Sequence, residues 1–209
     1  LTGNKIDMSR DFLLNKTASE EEKKKIREYL RKLVRYQGKR RLCLKITGPS
    51  RIGFIQGIFP EAMFVYVERE SIPTIKSFLK VAFWKNRGAH TLWWKGAYSK
   101  KELNKINASL GNSVFLTAFQ IKKLKQVYTY EKQIYKPNII HISYEDFIKK
   151  PKIEISKILN FLDLNSESAP CFSYLDSLNI VDRNKVPEDF FSKENLKMIE
   201  NIELDKLKI

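Results

Sequence analysis

The sequence has few of the residues on which disulfide frameworks and metal sites depend. Its 209 residues include two cysteines and two histidines. Cys43 and Cys171 can make at most one bridge, and no Cys or His pair has the spacing of metal ligands. We therefore expect both thiols to be reduced and the protein to hold no metal.

Two longer patterns are also missing. No apolar run reaches the length of a membrane span, and no glycine-rich phosphate loop with a nearby Mg²⁺ ligand occurs. The second absence argues against a phosphoryl-transfer enzyme. Because 43% of the residues are hydrophobic, the chain can bury one core, and we expect residues 1–209 to form a single domain. Few cysteines and no visible targeting signal favour a cytoplasmic location.

Positive charge is what the sequence has in excess. Lysine and arginine number 39 against 24 acidic residues, which gives a formal net charge of +15. Such a charge favours polyanionic partners, whether a nucleotide, a nucleic acid, a sulfated glycan or a membrane surface. The lysines are scattered along predicted helices, as at residues 23–25, and this pattern is typical of solvated faces. Nucleic acid is therefore not the expected partner.

The stretch over residues 64–77 predicts a strand that runs directly into a helix. Residues 64–67 are β-branched or aromatic, and three charged residues with Arg69 in their middle end the strand. Ser71 can cap the following helix, in which apolar residues recur at helical spacing as far as Phe83. Arg69 is thus expected at a strand end beside a helix start.

Arg69 and Ser77 are candidate phosphate ligands. Open α/β sheets bind ligands at the carboxyl ends of their strands, where helix N-termini present free N–H groups. A guanidinium fork and a hydroxyl from the second helical turn could hold one phosphate together. The alternative is that Arg69 is a surface residue paired with Glu68 or Glu70.

Strand and helix patterns alternate along most of the chain. They predict strands over residues 41–46, 64–67 and 138–143, and helices over 19–38, 52–59 and 112–135, from 151 and from 193. Such alternation implies parallel pairing through right-handed crossovers. We therefore predict an α/β fold with a central parallel sheet flanked by helices. His141, inside the third strand, is expected to be a core or face residue.

Residues 84–100 interrupt the alternation and are predicted to be a loop or substrate lid. They contain three tryptophans, several cations, two glycines and His90. Exposed tryptophans are costly without a partner. The indoles are therefore expected to pack on the core; the alternative is that they line a pocket for an acceptor.

Two stretches resemble the sulfotransferase family. Residues 45–77 match a lysine, a Phe-Pro pair, a strand ending in Arg69 and a helix carrying Ser77. Residues 139–164 (IIHISYEDFIKKPKIEISKILNFLDL) follow the family's apolar strand, Tyr-Glu-Asp, proline and helix. Both occur in the family's order and separation, and a weaker likeness continues over residues 183–199.

The resemblance implies a P-loop-type sulfotransferase fold. It also implies transfer of a sulfuryl group from the nucleotide donor 3′-phosphoadenosine 5′-phosphosulfate to a hydroxyl or amine acceptor, which is a carbohydrate or a small molecule. Lys45 matches a catalytic lysine that faces the sulfuryl group, where a cation would stabilise developing charge. No metal is implied, because the donor is already activated.

The resemblance also assigns donor-binding residues. Arg69 and Ser77 match the family's 3′-phosphate ligands. Tyr144 matches a residue that lies near the adenine. Arg183 and Lys185 are expected to add phosphate contacts, although the glycine-rich signature of the family near that position is not evident.

Two family features are missing from the sequence. The family's loop that grips the 5′-phosphosulfate has no counterpart, so we expect a strand-loop-helix unit upstream of Leu1; the alternative is a degenerate relative that binds nucleotide without turnover. Cytosolic members place a catalytic histidine two residues after the lysine, where this chain has Thr47. A threonine hydroxyl cannot be the base near neutral pH, which leaves His90 or a carboxylate.

A basic, non-catalytic module for nucleic acid or anionic glycan is the alternative from another functional class. Such a module predicts steeply salt-dependent binding that hardly responds to Arg69→Ala, because many cations share the contacts. A sulfotransferase predicts that the same single change removes nucleotide binding.

Overall fold

The computed structural model of the protein describes residues 12–109, 111–164 and 170–204. The strands in this part of the chain are β1 (Met63–Glu68) and β2 (Asn138–Ser143). The α-helices are α1 (Glu20–Tyr36), α2 (Ile52–Ile58), α3 (Ser71–Lys80), α4 (Lys100–Ala108), α5 (Ser113–Tyr135), α6 (Tyr144–Lys149), α7 (Pro151–Phe161), α8 (Cys171–Ser177) and α9 (Lys193–Leu204). A short π-helix (Trp84–Gly88) and a 3₁₀ helix (Lys95–Ala97) lie in the stretch that the sequence predicted to be a loop. None of them is long and apolar enough to cross a membrane.

The two strands form a small parallel sheet. They pair in register, from Met63 opposite Asn138 to Glu68 opposite Ser143. Helix α3 begins shortly after β1 ends, and α6 follows β2 directly. Both helix starts therefore lie at the carboxyl edge of the sheet, as expected for parallel strands. The described residues form a mixed helix and strand fold that agrees with the predicted α/β class.

Helix α5 is the centre of the helical packing. It contacts α2, α3 and α9, and Leu116, Phe119 and Val127 are each about 1% exposed. The N-cap of α5 is Asn112, whose side chain accepts a hydrogen bond from the backbone N–H of Phe115 at 2.9 Å. Apolar spacing in the sequence predicted this helix almost to the residue.

The predicted strand over residues 41–46 is wrong. The segment is irregular, and the side chains of Leu44 and Ile46 are 54% and 49% exposed. It runs beside β1 across a cavity, while the guanidinium of Arg41 donates to the carbonyl of Leu162. Apolar alternation becomes a strand only where the backbone finds a hydrogen-bonding partner, and this segment pairs with neither described strand.

The helix ends agree with the sequence prediction in α1 and differ from it in α3. The capping box of Ser19 and Glu22 is formed as predicted. Helix α3, however, has Glu70 as its N-cap instead of Ser71, and it ends at Lys80 instead of continuing to Phe83. The short helices α4, α6 and α8 were not predicted. Both cysteines carry free thiols.

The tryptophan segment, residues 84–100, packs its indoles inward. The side chain of Trp84 is 1% exposed, its Nε1 donates to Thr117 Oγ1 at 3.0 Å, and its ring meets that of Phe78 edge to face. Trp94 is also buried. The backbone N–H of Trp93 donates to Gln120 Oε1 at 2.8 Å. These contacts are the core packing that the sequence favoured over exposed rings.

A buried ion pair holds the end of the tryptophan segment against α5. Lys123 Nζ lies 2.9 Å from Glu102 Oε1, and both side chains are nearly inaccessible. The ammonium also lies 5.7 Å from the centre of the Tyr98 ring. Because each partner would be an uncompensated buried charge without the other, the pair fixes α4 onto α5.

Candidate functional site

A cavity of about 540 Å³ lies between β1, α5 and the chain from Leu44 to Ile55. Most of its lining is apolar. Its charged lining residues are Lys45, Arg51, Glu68, Arg69 and Lys125. Four cations against one carboxylate make the cavity suitable for an anion, and the apolar walls suit an uncharged group beside it.

Arg69 leaves the sheet immediately after β1 and points its guanidinium across the neighbouring strand end. Its Cζ lies 4.6 Å from the centre of the Tyr144 ring, an arrangement that allows a cation–π contact. Tyr144 is the first residue of α6 and follows β2 directly. The parallel pairing of β1 and β2 therefore brings together two residues that lie 75 positions apart in the sequence.

A loop that is distant in the sequence, residues 183–185, contacts Arg69. Arg69 Nη2 donates to the carbonyl of Arg183 at 2.7 Å, and Arg69 Nε donates to Asn184 Oδ1 at 2.8 Å. The ammonium of Lys76 in α3 donates to the carbonyl of Lys185. These contacts use two of the five N–H donors of the Arg69 guanidinium, so the fork retains donors for an anion.

Two members of the group were not predicted from the sequence. Asn184 Nδ2 donates to Glu145 Oε1 at 2.6 Å, and the same carboxylate accepts from the backbone N–H of Glu70 at 3.2 Å. We call Arg69, Tyr144, Glu145 and Asn184 the carboxyl-edge cluster. The only sequence signals for Asn184 and Glu145 were their places beside Arg183 and Tyr144.

Glu145 is ionised in this cluster. Partial burial raises the pKa of its carboxyl, but the hydrogen bonds from Asn184, the Glu70 backbone and Ser143 outweigh that effect and lower the pKa below its ordinary value of 4.5. The anionic carboxylate holds Asn184, and Asn184 in turn orients Arg69. The cluster is thus a chain of polar contacts that sets the direction of one guanidinium.

Lys45 and Ser77 lie outside the carboxyl-edge cluster. Lys45 is exposed on the irregular segment and lines the same cavity as Arg69. Ser77 is half-buried in the second turn of α3. Among the hydrogen bonds of the described residues, none joins Ser77 to Arg69. The contacts of the described residues therefore bring Arg69, Tyr144 and the 183–185 loop together, and Ser77 is not among the residues that they join.

A family model described as the sulfotransferase family matches residues 6–168. This chain belongs to the sulfotransferase family. Family membership supports sulfotransferase activity in general. The matched span includes Lys45, Arg69, Ser77 and Tyr144, whereas the 183–185 loop lies beyond it. No curated protein and no solved structure matches the chain.

A buried carboxylate fixes the segment of this sulfotransferase that carries Lys45. Glu131 in α5 is 0% exposed. It accepts hydrogen bonds from the Ser50 hydroxyl, from the backbone N–H of Ile52 at 2.8 Å and from that of Gly53 at 3.3 Å. A carboxylate here satisfies free N–H groups at the start of α2 and complements the helix dipole. A glutamate in the middle of a predicted helix gave no sequence signal for this role.

Gly53 allows α2 to lie directly on α5. A Cβ atom placed on Gly53 would come within 2.2 Å of Tyr135 Cζ. The absence of a side chain therefore permits the close approach that lets Glu131 reach the N–H groups of α2. Together the two features set where the segment bearing Lys45 enters the helix.

The two histidines of this sulfotransferase lie in different surroundings. His90, a predicted candidate for the base, is exposed in the tryptophan segment and is not among the residues that line the cavity. His141 lies opposite Tyr66 in the sheet, and its Nε2 is 2.6 Å from the hydroxyl of Tyr128. Within the described residues, no group of His, Cys, Asp and Glu side chains could hold a metal ion.

Proposed function

We propose that this protein transfers a sulfuryl group from 3′-phosphoadenosine 5′-phosphosulfate to a hydroxyl or amine acceptor, either a carbohydrate or a small molecule. The observation that carries the proposal is the position of Arg69. It lies at the carboxyl end of β1, beside the N-terminus of α3, with its guanidinium against Tyr144 and its fork oriented by Asn184. This arrangement suits a phosphate on a nucleotide whose base lies near an aromatic ring.

The charges of the cavity suit the donor as well. A nucleotide with a 3′-phosphate and a 5′-phosphosulfate carries several negative charges, and four cations line the cavity against one carboxylate. Arg69 would bind the 3′-phosphate, with Ser77 in the adjacent helix, and Tyr144 would lie near the adenine. Arg183 and Lys185 would add positive charge at the same edge.

Lys45 would act at the transferring group. As the acceptor oxygen or nitrogen bonds to sulfur, the bond from sulfur to the 5′-phosphate oxygen breaks, and negative charge develops on that oxygen. A cation on the cavity wall stabilises this charge. Positioning donor and acceptor together in one cavity lowers the entropic part of the barrier. Glu131 contributes by fixing the segment that carries Lys45.

The test is calorimetric titration of 3′-phosphoadenosine 5′-phosphate into the wild type and Arg69→Ala, with 5′-AMP as the ligand that lacks the 3′-phosphate. Loss of a charged fork costs about 1.5–3 kcal/mol, so the mutation should weaken binding about 10- to 100-fold. The affinity for 5′-AMP should change much less. Arg35→Ala in α1 removes one arginine outside the cavity and should leave both affinities unchanged.

Equal affinities of the wild type for the two nucleotides would contradict the proposed 3′-phosphate site. A steeply salt-dependent affinity that falls equally in Arg69→Ala and Arg35→Ala would instead indicate a basic binding module whose dispersed cations share the contacts.

A further inference from the structure

Two tyrosine rings form part of the cavity wall. The rings of Tyr66 in β1 and Tyr128 in α5 are stacked, with centroids 3.6 Å apart and planes inclined by 1°. Both residues line the cavity that also contains Lys45 and Arg69. Their surroundings are apolar, with Ile121, Leu124 and Ile139 among the lining residues. This part of the cavity therefore suits a flat aromatic group.

Tyr128 lines the cavity, and its hydroxyl contacts His141. Tyr128 Oη lies 2.6 Å from His141 Nε2, and Lys132 Nζ lies 2.9 Å from the same nitrogen. An ammonium can only donate hydrogen bonds, so Nε2 must carry the lone pair and the ring proton must be on Nδ1. It follows that Tyr128 also donates to Nε2. One lone pair thus receives two donors.

We propose that Tyr128, coupled to His141, takes the proton that an aromatic hydroxyl acceptor loses when it is sulfated in this cavity. The inference rests on the proposed function and narrows its acceptor to phenol-like compounds. Tyr128 would contact the acceptor hydroxyl, and His141 would act through Tyr128. Thr47 is not a base near neutral pH and His90 does not line the cavity, so this pair takes the role of the base.

The step balances without another reactant. The acceptor oxygen forms a bond to sulfur, and the bond from sulfur to the 5′-phosphate oxygen breaks, so that the departing nucleotide keeps the electron pair. The acceptor's O–H bond breaks and its proton goes to Tyr128 Oη. The original phenolic proton of Tyr128 goes to His141 Nε2. The imidazolium then releases a proton to water, because His141 is exposed.

The groups around His141 keep Tyr128 protonated and His141 neutral, which are the states that the proton transfer requires. Burial raises the pKa of Tyr128, as do Tyr66 and Glu68, so its hydroxyl stays protonated and can pass on a proton. Burial also lowers the pKa of His141, as does Lys132, while Glu68 opposes this. His141 is therefore neutral at pH 7. Lys132 is exposed, so its ammonium can move to solvent when Nε2 gains a proton.

The first test is nuclear magnetic resonance of the imidazole protons, which needs no turnover. The chain has two histidines, so a His90→Gln background leaves the signals of His141 alone. A donor to the neutral imidazole lowers its pKa. In that background Tyr128→Phe should therefore raise the His141 titration midpoint by about 0.5 to 1 pH unit, the equivalent of one lost hydrogen bond.

Two matched variants complete this test. Lys132→Gln should also raise the His141 midpoint, because it removes a cation and a donor. Tyr130→Phe, two residues from Tyr128 on the same helix with its hydroxyl 3.5 Å from Asn15 Oδ1, should leave the midpoint unchanged. An unchanged or lowered midpoint in Tyr128→Phe would overturn the coupling of the pair.

The second test compares acceptors of different acidity. With 3′-phosphoadenosine 5′-phosphosulfate as donor at pH 8, Tyr128→Phe should lower kcat for phenol about 100-fold, a typical contribution of a positioned base. The loss for 4-nitrophenol should be far smaller, since most of that acceptor is already ionised. A loss equal for both acceptors would indicate a structural role for Tyr128 and would overturn the proposal.

The pH profile separates His141 from a structural residue. In the wild type, kcat/KM for phenol should fall as His141 becomes protonated, with a midpoint below the ordinary histidine pKa of 6.5. His141→Gln should lose that acid limb. Failure of the wild type to sulfate either phenol would overturn the assignment. The nucleotide titration with Arg69→Ala judges the proposed function separately, because it requires no acceptor.

Discussion

Arg69 and Trp84 lie at the two ends of α3, and their surroundings differ. Arg69, just before the helix, is partly exposed and is held by hydrogen bonds to Asn184 and the Arg183 carbonyl. Trp84, just after it, is 1% exposed and is held by ring contacts and one hydrogen bond to Thr117. Both lay in stretches that the sequence marked as functional.

The difference in burial between Arg69 and Trp84 shows which of the two side chains is available to a ligand. Within the part of the chain that the structure describes, hydrogen bonds at the sheet edge orient Arg69 through two of its five N–H donors. Burial of Trp84 uses nearly all of its surface for packing, and that surface is no longer available to an acceptor. We therefore expect mutations in the tryptophan segment to change stability, and mutations in the carboxyl-edge cluster to change nucleotide binding.

The largest expected effect is that of Trp84→Ala. Removing a buried indole leaves a cavity in the core and costs about 3–5 kcal/mol of unfolding free energy. Urea denaturation measures this loss. Trp84→Phe retains part of the ring but not the bond to Thr117, and should cost less. A stable Trp84→Ala variant with altered nucleotide affinity would remove the distinction between the two regions.

Glu131→Ala should lower both stability and activity. The change leaves buried N–H groups of α2 without their acceptor, at about 1–3 kcal/mol for an unsatisfied group. It also frees the segment that carries Lys45, so kcat should fall more than the affinity for 3′-phosphoadenosine 5′-phosphate. Urea denaturation and steady-state kinetics measure the two effects. Glu131→Gln keeps one acceptor oxygen and should recover part of each; full activity in Glu131→Ala would contradict the role.

Asn184→Ala should affect binding more than stability. Asn184 connects Arg69 to Glu145, and loss of this orientation should weaken binding of 3′-phosphoadenosine 5′-phosphate about 5- to 10-fold, the equivalent of one hydrogen bond. The urea midpoint should fall only slightly, because the change removes hydrogen bonds of a partly exposed side chain at the sheet edge and no packing in the core. Asn160→Ala, an exposed asparagine of α7, is the control. Unchanged affinity in Asn184→Ala would mean that Arg69 is oriented without it.

The smallest expected effect is the pH-dependent loss of stability in Glu145→Gln. Because the folded-state pKa of this carboxyl is lowered, its ionised form stabilises the fold above pH 4.5, and this contribution is lost as the pH falls through the lowered pKa. Glu145→Gln should therefore be less stable than the wild type at pH 7, by less than about 1 kcal/mol for a partly exposed group. The difference should shrink as the pH falls below 4.5 and through the lowered pKa. A difference that stays constant as the pH falls would exclude an electrostatic origin.

Sequence patterns predicted the elements whose signals are local. The capping box of α1, the apolar spacing of α5 and the β-branched run of β1 depend on residues within a few positions of one another, and the structure forms all three. The resemblance to the sulfotransferase family also rested on local runs, and the family match agrees with it. The roles of Lys45, Arg69, Ser77, Tyr144, Arg183 and Lys185 stay predictions.

Other features could not be predicted because their partners are distant in the chain. The apolar run at residues 41–46 had strand character, but within the described part of the chain it pairs with neither β1 nor β2. Glu131 looked like any glutamate in a helix until α2 placed its free N–H groups beside it. His141 looked like a face residue, and only the packing of α5 on the sheet put the Tyr128 hydroxyl against its ring.

By itself the sequence determined α1, α5, β1 and β2, the excess of positive charge and the place of Arg69 at a strand end, because propensity, charge and capping act between neighbours in the chain. Only the tertiary structure decided which of the candidate site residues contact one another. The parallel pairing of β1 and β2 brought Tyr144 to Arg69, and folding of the 170–204 region brought Asn184 to Arg69 and Glu145. Such contacts depend on loop closure and burial of the whole core, and no local pattern encodes them.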